Sequence, residues 1–373
     1  MPELAATSEF LSGEIESRLL MTAAQVCVIT CDGDRHEYGA GTAGLEVNAG
    51  TLFRVGCITK QFTSIAIAQL VDEGVVALDD ALVVWLPEVA SLAGTEITLD
   101  HVLTHTAGLH VPTVPRMEFV PFDQRCQVLC GRQWRPPGWR SGVDGGYSEV
   151  LGWHVLGHLI ERCSGESLSS YLRTRVLDPL GLHDTFVGMT RPEYDANLSR
   201  IGLYYDLRGT HPFPVLLDRT EDHCCTTNCA YGGFSTATDL ARFYERLLLH
   251  MNGDETTDVL PARETLRQFC APAGPERYDV TFERPCSFGL GFLSVATHQF
   301  GPTISPNAFG HMGWTGASFA FGDPDNGVAV AVITNGLLPR AAARLARARI
   351  VRSIYADVSQ GQEPALEHTR LRR

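Results

Sequence analysis

Phe53-Arg-Val-Gly-Cys-Ile-Thr-Lys-Gln-Phe62, FRVGCITKQF, holds the single lysine of a chain that carries 30 Lys plus Arg residues; every other fixed cation is arginine. A strand, Thr51–Val55, leads into it. From Cys57 the apolar residues Ile58, Phe62, Ile65, Ala66 and Leu70 recur at helical spacing up to Glu73, and Gly74 stands where a left-handed cap closes a helix. Cys57 then falls in the first turn, with Lys60 three residues on and facing the same way. A helix N-terminus presents partial positive charge and open N–H groups, which favour a thiolate nucleophile. A partly buried lysine can lose and regain a proton, whereas a guanidinium stays charged. The pair has the composition of a nucleophile and its proton partner. The bland alternative is a chance lysine beside one of eleven buried thiols.

Outward from this segment, Ala24–Thr30 and His36–Gly44 flank Asp32-Gly33 as a β-hairpin. The stretch from Asp79 to Asn228 is mainly helical or irregular, as in "VLGWHVLGHLIERCSG". Strand signals return in "FGLGFLSVAT" (Phe288–Thr297), "AFGHMG" (Ala308–Gly313) and "SFAFGDPDNGVAVAVITN" (Ser318–Asn335), and a helix from Arg340 closes the chain. The expected fold class is α/β (α+β): an antiparallel β-sheet flanked by helices and built from both chain ends. Its sheet domain would comprise residues 1–78 and 229–356, the inserted, mainly helical domain 79–228, and a disordered tail 357–373.

At 373 residues, 44% hydrophobic and 20% charged, the chain can bury a large core. A net charge of −13 disfavours nucleic acid and acidic membrane surfaces. The arginines beyond Arg340 read as a solvated helix face. No window reaches the ~18 apolar residues of a membrane span, and the first twenty residues have no basic segment followed by an apolar one, so a cytoplasmic location is expected. Eleven cysteines without such a leader read as reduced thiols. "HCCTTNC" (His223–Cys229) lacks a second ligand pair at zinc-finger spacing, so no metal is expected. His154 and His158 lack the glutamate of a zinc-protease helix and read as packing residues. No cofactor is implied.

Cys57-Ile-Thr-Lys60, Tyr147-Ser-Glu149 within "PPGWRSGVDGGYSEVLGWHVLGHLIE", and His311-Met-Gly313 within "FGHMGWTGASFAFGDP" form an ordered set. Together with "LDHVLTHTAGL", "LDPLGLHDTF" and "GGFSTATDLARF", they resemble the serine β-lactamase-like and penicillin-binding-protein family, in particular its class C β-lactamase and esterase-like branch. The resemblance covers about residues 20 to 355, with cysteine in place of the nucleophilic serine. It implies a β-lactamase/transpeptidase-like fold, Cys57 as nucleophile, and Lys60 and Tyr147 as base and acid. The backbone N–H groups of Cys57 and Trp314 would form the oxyanion hole, with Glu149, His311 and Gly313 binding substrate. His105 matches a structural turn of the family.

Two departures shape the expected chemistry. A Cys57 acyl-enzyme is a thioester, which amines and thiols attack well relative to water, so transfer is favoured over hydrolysis. A thiolate also leaves more readily than an amine, which weakens the case for a β-lactamase. Glu149 stands where the family has asparagine; a carboxylate cannot donate to an acyl amide and would instead attract a cationic acceptor or pair with an arginine. The expected activity is acyl transfer through acyl-Cys57, by a small-molecule acyltransferase of specialised metabolism. Its partners would be an acyl donor (ester, thioester or activated amide) and an acyl acceptor. The alternatives are an esterase or amidase of the same family and a non-catalytic binding homologue.

Overall fold

The computed structural model describes residues 4–361 apart from 94–95, 111–119, 121–123, 126–127, 129–134, 210, 255–257 and 296. Helix α1 (Ala5–Ser17) precedes the hairpin of β1 (Ala23–Thr30) and β2 (Arg35–Gly41), turned where expected, with Gly33 N–H donating to the Thr30 carbonyl at 2.9 Å. A 3₁₀ turn, Gly56–Ile58, runs directly into α2 (Thr59–Asp72), and Gly74 follows in the left-handed region. Helices α3 (Leu151–Ser164) and α4 (Ala237–Met251) come next. Strands β3 (Phe309–Met312), β4 (Ser318–Asp323) and β5 (Val328–Thr334) and helix α5 (Arg340–Gly361) follow.

The five strands form one antiparallel sheet in the order β2-β1-β5-β4-β3, with Val26 opposite Val332 and Phe319 opposite Met312. Alternate β1 residues face two different cores, as the period of two requires. Ala24, Val26 and Val28 pack with Phe319, Phe321 and the α1 and α5 residues Leu11, Ile350 and Ile354. Ala23, Cys27 and Ile29 face the larger core, which holds α2, α3 and α4. The sheet is thus flanked by helices, in agreement with the expected fold class.

Three local expectations are corrected. Of Thr51–Val55, only Phe53–Arg54 pairs as a strand, and its partner is Phe234–Ser235, outside the main sheet. Phe288–Val295 is a loop with two isolated bridges, because its carbonyls serve another element; residue 296 lies outside the described residues and Thr297 opens a short helix. Gln61 Nε2 donates to Gly291 O at 2.9 Å and Ser64 Oγ to Leu290 O, which satisfies polar side chains of a helix buried on every side. Helix α5 continues to Gly361, into the expected tail, and residues 362–373 lie outside the described residues. Among the described residues, no helix is long and apolar enough to cross a membrane.

Candidate active site

The turn that carries Cys57 is held at both ends. Val55 N–H donates to Gly233 O at 2.8 Å; Thr59 Oγ1 donates to Gly56 O at 2.6 Å and accepts from Gly233 N–H at 2.9 Å. Gly56 has φ of +61°, and a Cβ there would lie 2.8 Å from Trp314 N. Only glycine combines that dihedral with so close an approach. Gly313 is pressed against the other side: a methyl group on it would collide with the Val55 carbonyl oxygen and Ser318 Oγ. Two glycines therefore bring the Trp314–Gly316 turn beside the Gly56–Ile58 turn. Cys57 and Trp314 each lie within the first two residues of a 3₁₀ turn, where N–H groups have no partner inside the turn. Gly313→Ala is expected to destabilise the protein by about 1–3 kcal/mol through overpacking, read as a lower denaturation midpoint; an unchanged midpoint would show that the two turns separate freely.

Lys60 is completely buried. Its Nζ donates to Glu149 O at 2.8 Å and to Ala230 O at 2.7 Å, and lies 5.3 Å from the centre of the Tyr147 ring. These acceptors are neutral carbonyls, which hold the amine in place whether or not it is protonated. Burial lowers its pKa, opposed by the neighbouring Cys57 and Glu149.

Tyr147 is set by its backbone. Its N–H donates to Asp279 Oδ2 at 2.7 Å, and the next N–H, of Ser148, donates to His105 Nδ1 at 3.0 Å. The His105 ring lies 4.6 Å from the Tyr147 ring, so the "HTAGL" turn shapes the tyrosine's seat. Burial raises the Tyr147 phenol well above its ordinary value, with Cys57, Glu149 and Asp279 adding to the effect. Asp279 is itself buried and accepts from the N–H groups of Tyr147, Thr281 and Phe282; sequence reasoning missed it.

His311, on β3, is buried behind Tyr147, its Nε2 3.5 Å from the phenol oxygen. Burial, together with the Lys60 charge, pushes its pKa down to about 3, so it is neutral at physiological pH. It is not among the cavity-lining residues, which differs from its expected place against substrate; the Tyr147 ring, 5.9 Å from it centre to centre, does not line the cavity either.

The cavity, about 270 Å³, is lined by Cys57, Glu149, Trp314, Arg54, Tyr231 and Leu217, with Gly56, Val215 and His223 completing it. Glu149 is exposed at this opening. Arg54, unanticipated from sequence, lies with its guanidinium 4.4 Å from the centre of the Trp314 ring and its Nε 2.8 Å from Asp218 Oδ1. Burial raises the Asp218 carboxyl to about 6, with Arg54 opposing.

Two of the three "HCCTTNC" thiols have separate partners: Cys224 Sγ contacts Asp218 O at 3.5 Å and Cys229 Sγ contacts Trp153 O at 3.1 Å. The nine described cysteines are all free thiols; Cys126 and Cys130 lie outside the described residues. His154 and His158 are buried on α3.

The profile of the β-lactamase family matches residues 19–353. Penicillin-binding protein 4 of Amycolatopsis lactamdurans is 28% identical over 326 residues, spanning 82% of this chain and 78% of that protein. A solved penicillin-binding-protein homologue from Caulobacter crescentus superposes with a TM-score of 0.79 at 25% identity, covering 95% of this chain and 98% of the other. EstCE1, described as a hydrolase with promiscuous acyltransferase activity, shares the fold, with a TM-score of 0.73 at 18% identity over 94% of this chain and 98% of that one. A profile spanning nearly the whole chain, and a fold that places buried Lys60 and Tyr147 beside the cavity-lining Cys57, lead to the same conclusion: the chain belongs to the β-lactamase family.

Proposed function

We propose that the protein transfers an acyl group between small molecules through a thioester on Cys57. The observation that carries this reading is Cys57 at the cavity, on a helical turn, with a buried lysine behind it held by two carbonyl oxygens. Cys57 Sγ attacks the acyl carbon, the C–S bond forms, and the carbonyl electron pair moves onto oxygen beside the N–H groups of Cys57 and Trp314. One such donor is worth about 10² to 10³ in rate. Collapse expels the donor's alkoxide or thiolate, which takes a proton from the Lys60–Tyr147 pair. An incoming amine or alcohol returns a proton to that pair as it attacks the thioester, and the Cys57 sulfur leaves. The balance is acyl-X plus acceptor-H giving acyl-acceptor plus HX.

Glu149 at the cavity mouth favours a cationic acceptor, whose ammonium it would hold before deprotonation. His311, neutral and against Tyr147, supports the phenol rather than anchoring an anion, and Gly313 brings the Trp314 turn close.

Product analysis tests the proposal. With an activated ester or thioester and a saturating amine, most acyl groups are expected on the amine. Exclusive hydrolysis across a panel of amines and alcohols would leave water as acceptor, and the protein as an esterase or amidase.

A further inference from the structure

The 3₁₀ turn Leu216–Arg219 is patterned inside out. Its charged Asp218 is fully buried, while Leu216 and Leu217 are 61% and 49% exposed, and Phe213, just upstream, is 68% exposed. Neighbouring large apolar side chains held in water call for a ligand or partner.

The turn is also well anchored. Asp218 is tied to Arg54 on the short strand before Cys57, with Nε to Oδ1 at 2.8 Å. Val215 N–H donates to Tyr204 O at 2.8 Å, and Tyr194 Oη donates to Arg219 O at 3.0 Å. The buried ion pair fixes the turn against the nucleophile strand and leaves its leucines facing outward. Val215 and Leu217 line the cavity that holds Cys57, together with Tyr231 and Trp314, and the exposed Leu216 and Phe213 are their close neighbours along the chain.

We propose that Phe213–Leu217 is the wall on which the donor's acyl chain lies, and that the donor carries a medium-length aliphatic or aromatic acyl group. The occupant follows from continuity: the exposed apolar residues extend the lining of the cavity in which an acyl carbon would meet Cys57. The cavity's buried cation, Arg54, is engaged by Asp218, and its other charged group, Glu149, is anionic, so an acyl chain ending in a carboxylate is disfavoured. The inference rests on the acyl-Cys57 reading.

The test is a series of p-nitrophenyl esters from acetyl to octanoyl, compared in wild type, Leu217→Asn and the double variant Phe213→Ser/Leu216→Ser. Each methylene that becomes fully buried raises kcat/KM about fourfold. With partial burial, the hexanoyl-to-acetyl ratio is expected to exceed about 10 in wild type and to fall severalfold in both variants. The substituted positions are exposed, and a thermal melt checks that the fold survives. A flat series in wild type, or a slope the variants retain, overturns the proposal. So does a change of oligomeric state in the double variant, by light scattering, with the slope intact; the patch would then be a contact between copies. Cys57→Ala separates the two readings: activity surviving in it defeats the thioester while the chain-length slope can still be measured, and activity lost with a flat wild-type slope defeats only the acyl wall.

Discussion

Replacing Cys57 with alanine is expected to lower turnover of acyl donors by about 10⁴-fold or more, the scale seen when a catalytic nucleophile is removed. It is also expected to abolish the mass increase that intact-protein mass spectrometry should detect on wild type mixed with a reactive thioester. The loss would be one of chemistry, since the side chain is only partly buried, at a cavity, and its truncation removes little packing. Cys57→Ser sharpens the result. A hydroxyl fits the same turn but needs its proton removed during attack, so the serine variant should keep a small activity that depends on Lys60 and shifts product from transfer toward hydrolysis. An acyl adduct that persists on Cys57→Ala would refute the mechanism.

Lys60→Arg is expected to reduce the rate by about 10² to 10⁴, the usual contribution of a positioned acid or base. The guanidinium retains the charge but cannot give up its proton, and it brings five N–H donors to a place that supplies two carbonyl acceptors. The pH dependence distinguishes lost chemistry from lost packing. Because burial lowers the lysine's pKa, wild-type activity should climb along a basic limb below the ordinary lysine range, and the arginine variant should lose that limb. Stability has its own sign. A folded pKa below the unfolded one means that the unfolded chain binds the extra proton between the two, so stability rises with pH across that window. Lys60→Met should remove that rise, as measured by denaturant midpoints at several pH values. An arginine variant with unchanged rate and unchanged limb would show that position 60 needs only a cation.

The elements that were legible in the sequence are those whose signals are local. The β1–β2 and β4–β5 hairpins carry their own turn residues, and α2 shows its period, the Cys57 turn that leads into it and its closing glycine within eighteen residues. The motif residues Cys57, Lys60 and Tyr147 could be named because the ordered segments around them resemble those of the family. What was not legible depends on partners far along the chain. Phe288–Thr297 has the composition of a strand, but its backbone is claimed by Gln61 and Ser64, more than two hundred residues away. Asp279 has no motif around it, and its importance lies in three N–H groups, one of them from Tyr147. Arg54 looked like one arginine among many until Asp218 and Trp314 were placed around it.

The complete burial of Lys60 has a practical side. A lysine-specific endoprotease has one cleavage point in this sequence, after Lys60, and it lies in the middle of a packed helix. The folded protein should resist such an enzyme even though its surface is rich in arginine, and each unfolding event should yield the same cut, into residues 1–60 and 61–373. Cleavage then counts molecules that have opened the helix carrying the site. An acyl group or inhibitor seated at Cys57 would be detected as slower nicking, which makes the protein's lone lysine a reporter of ligand binding that needs no activity assay.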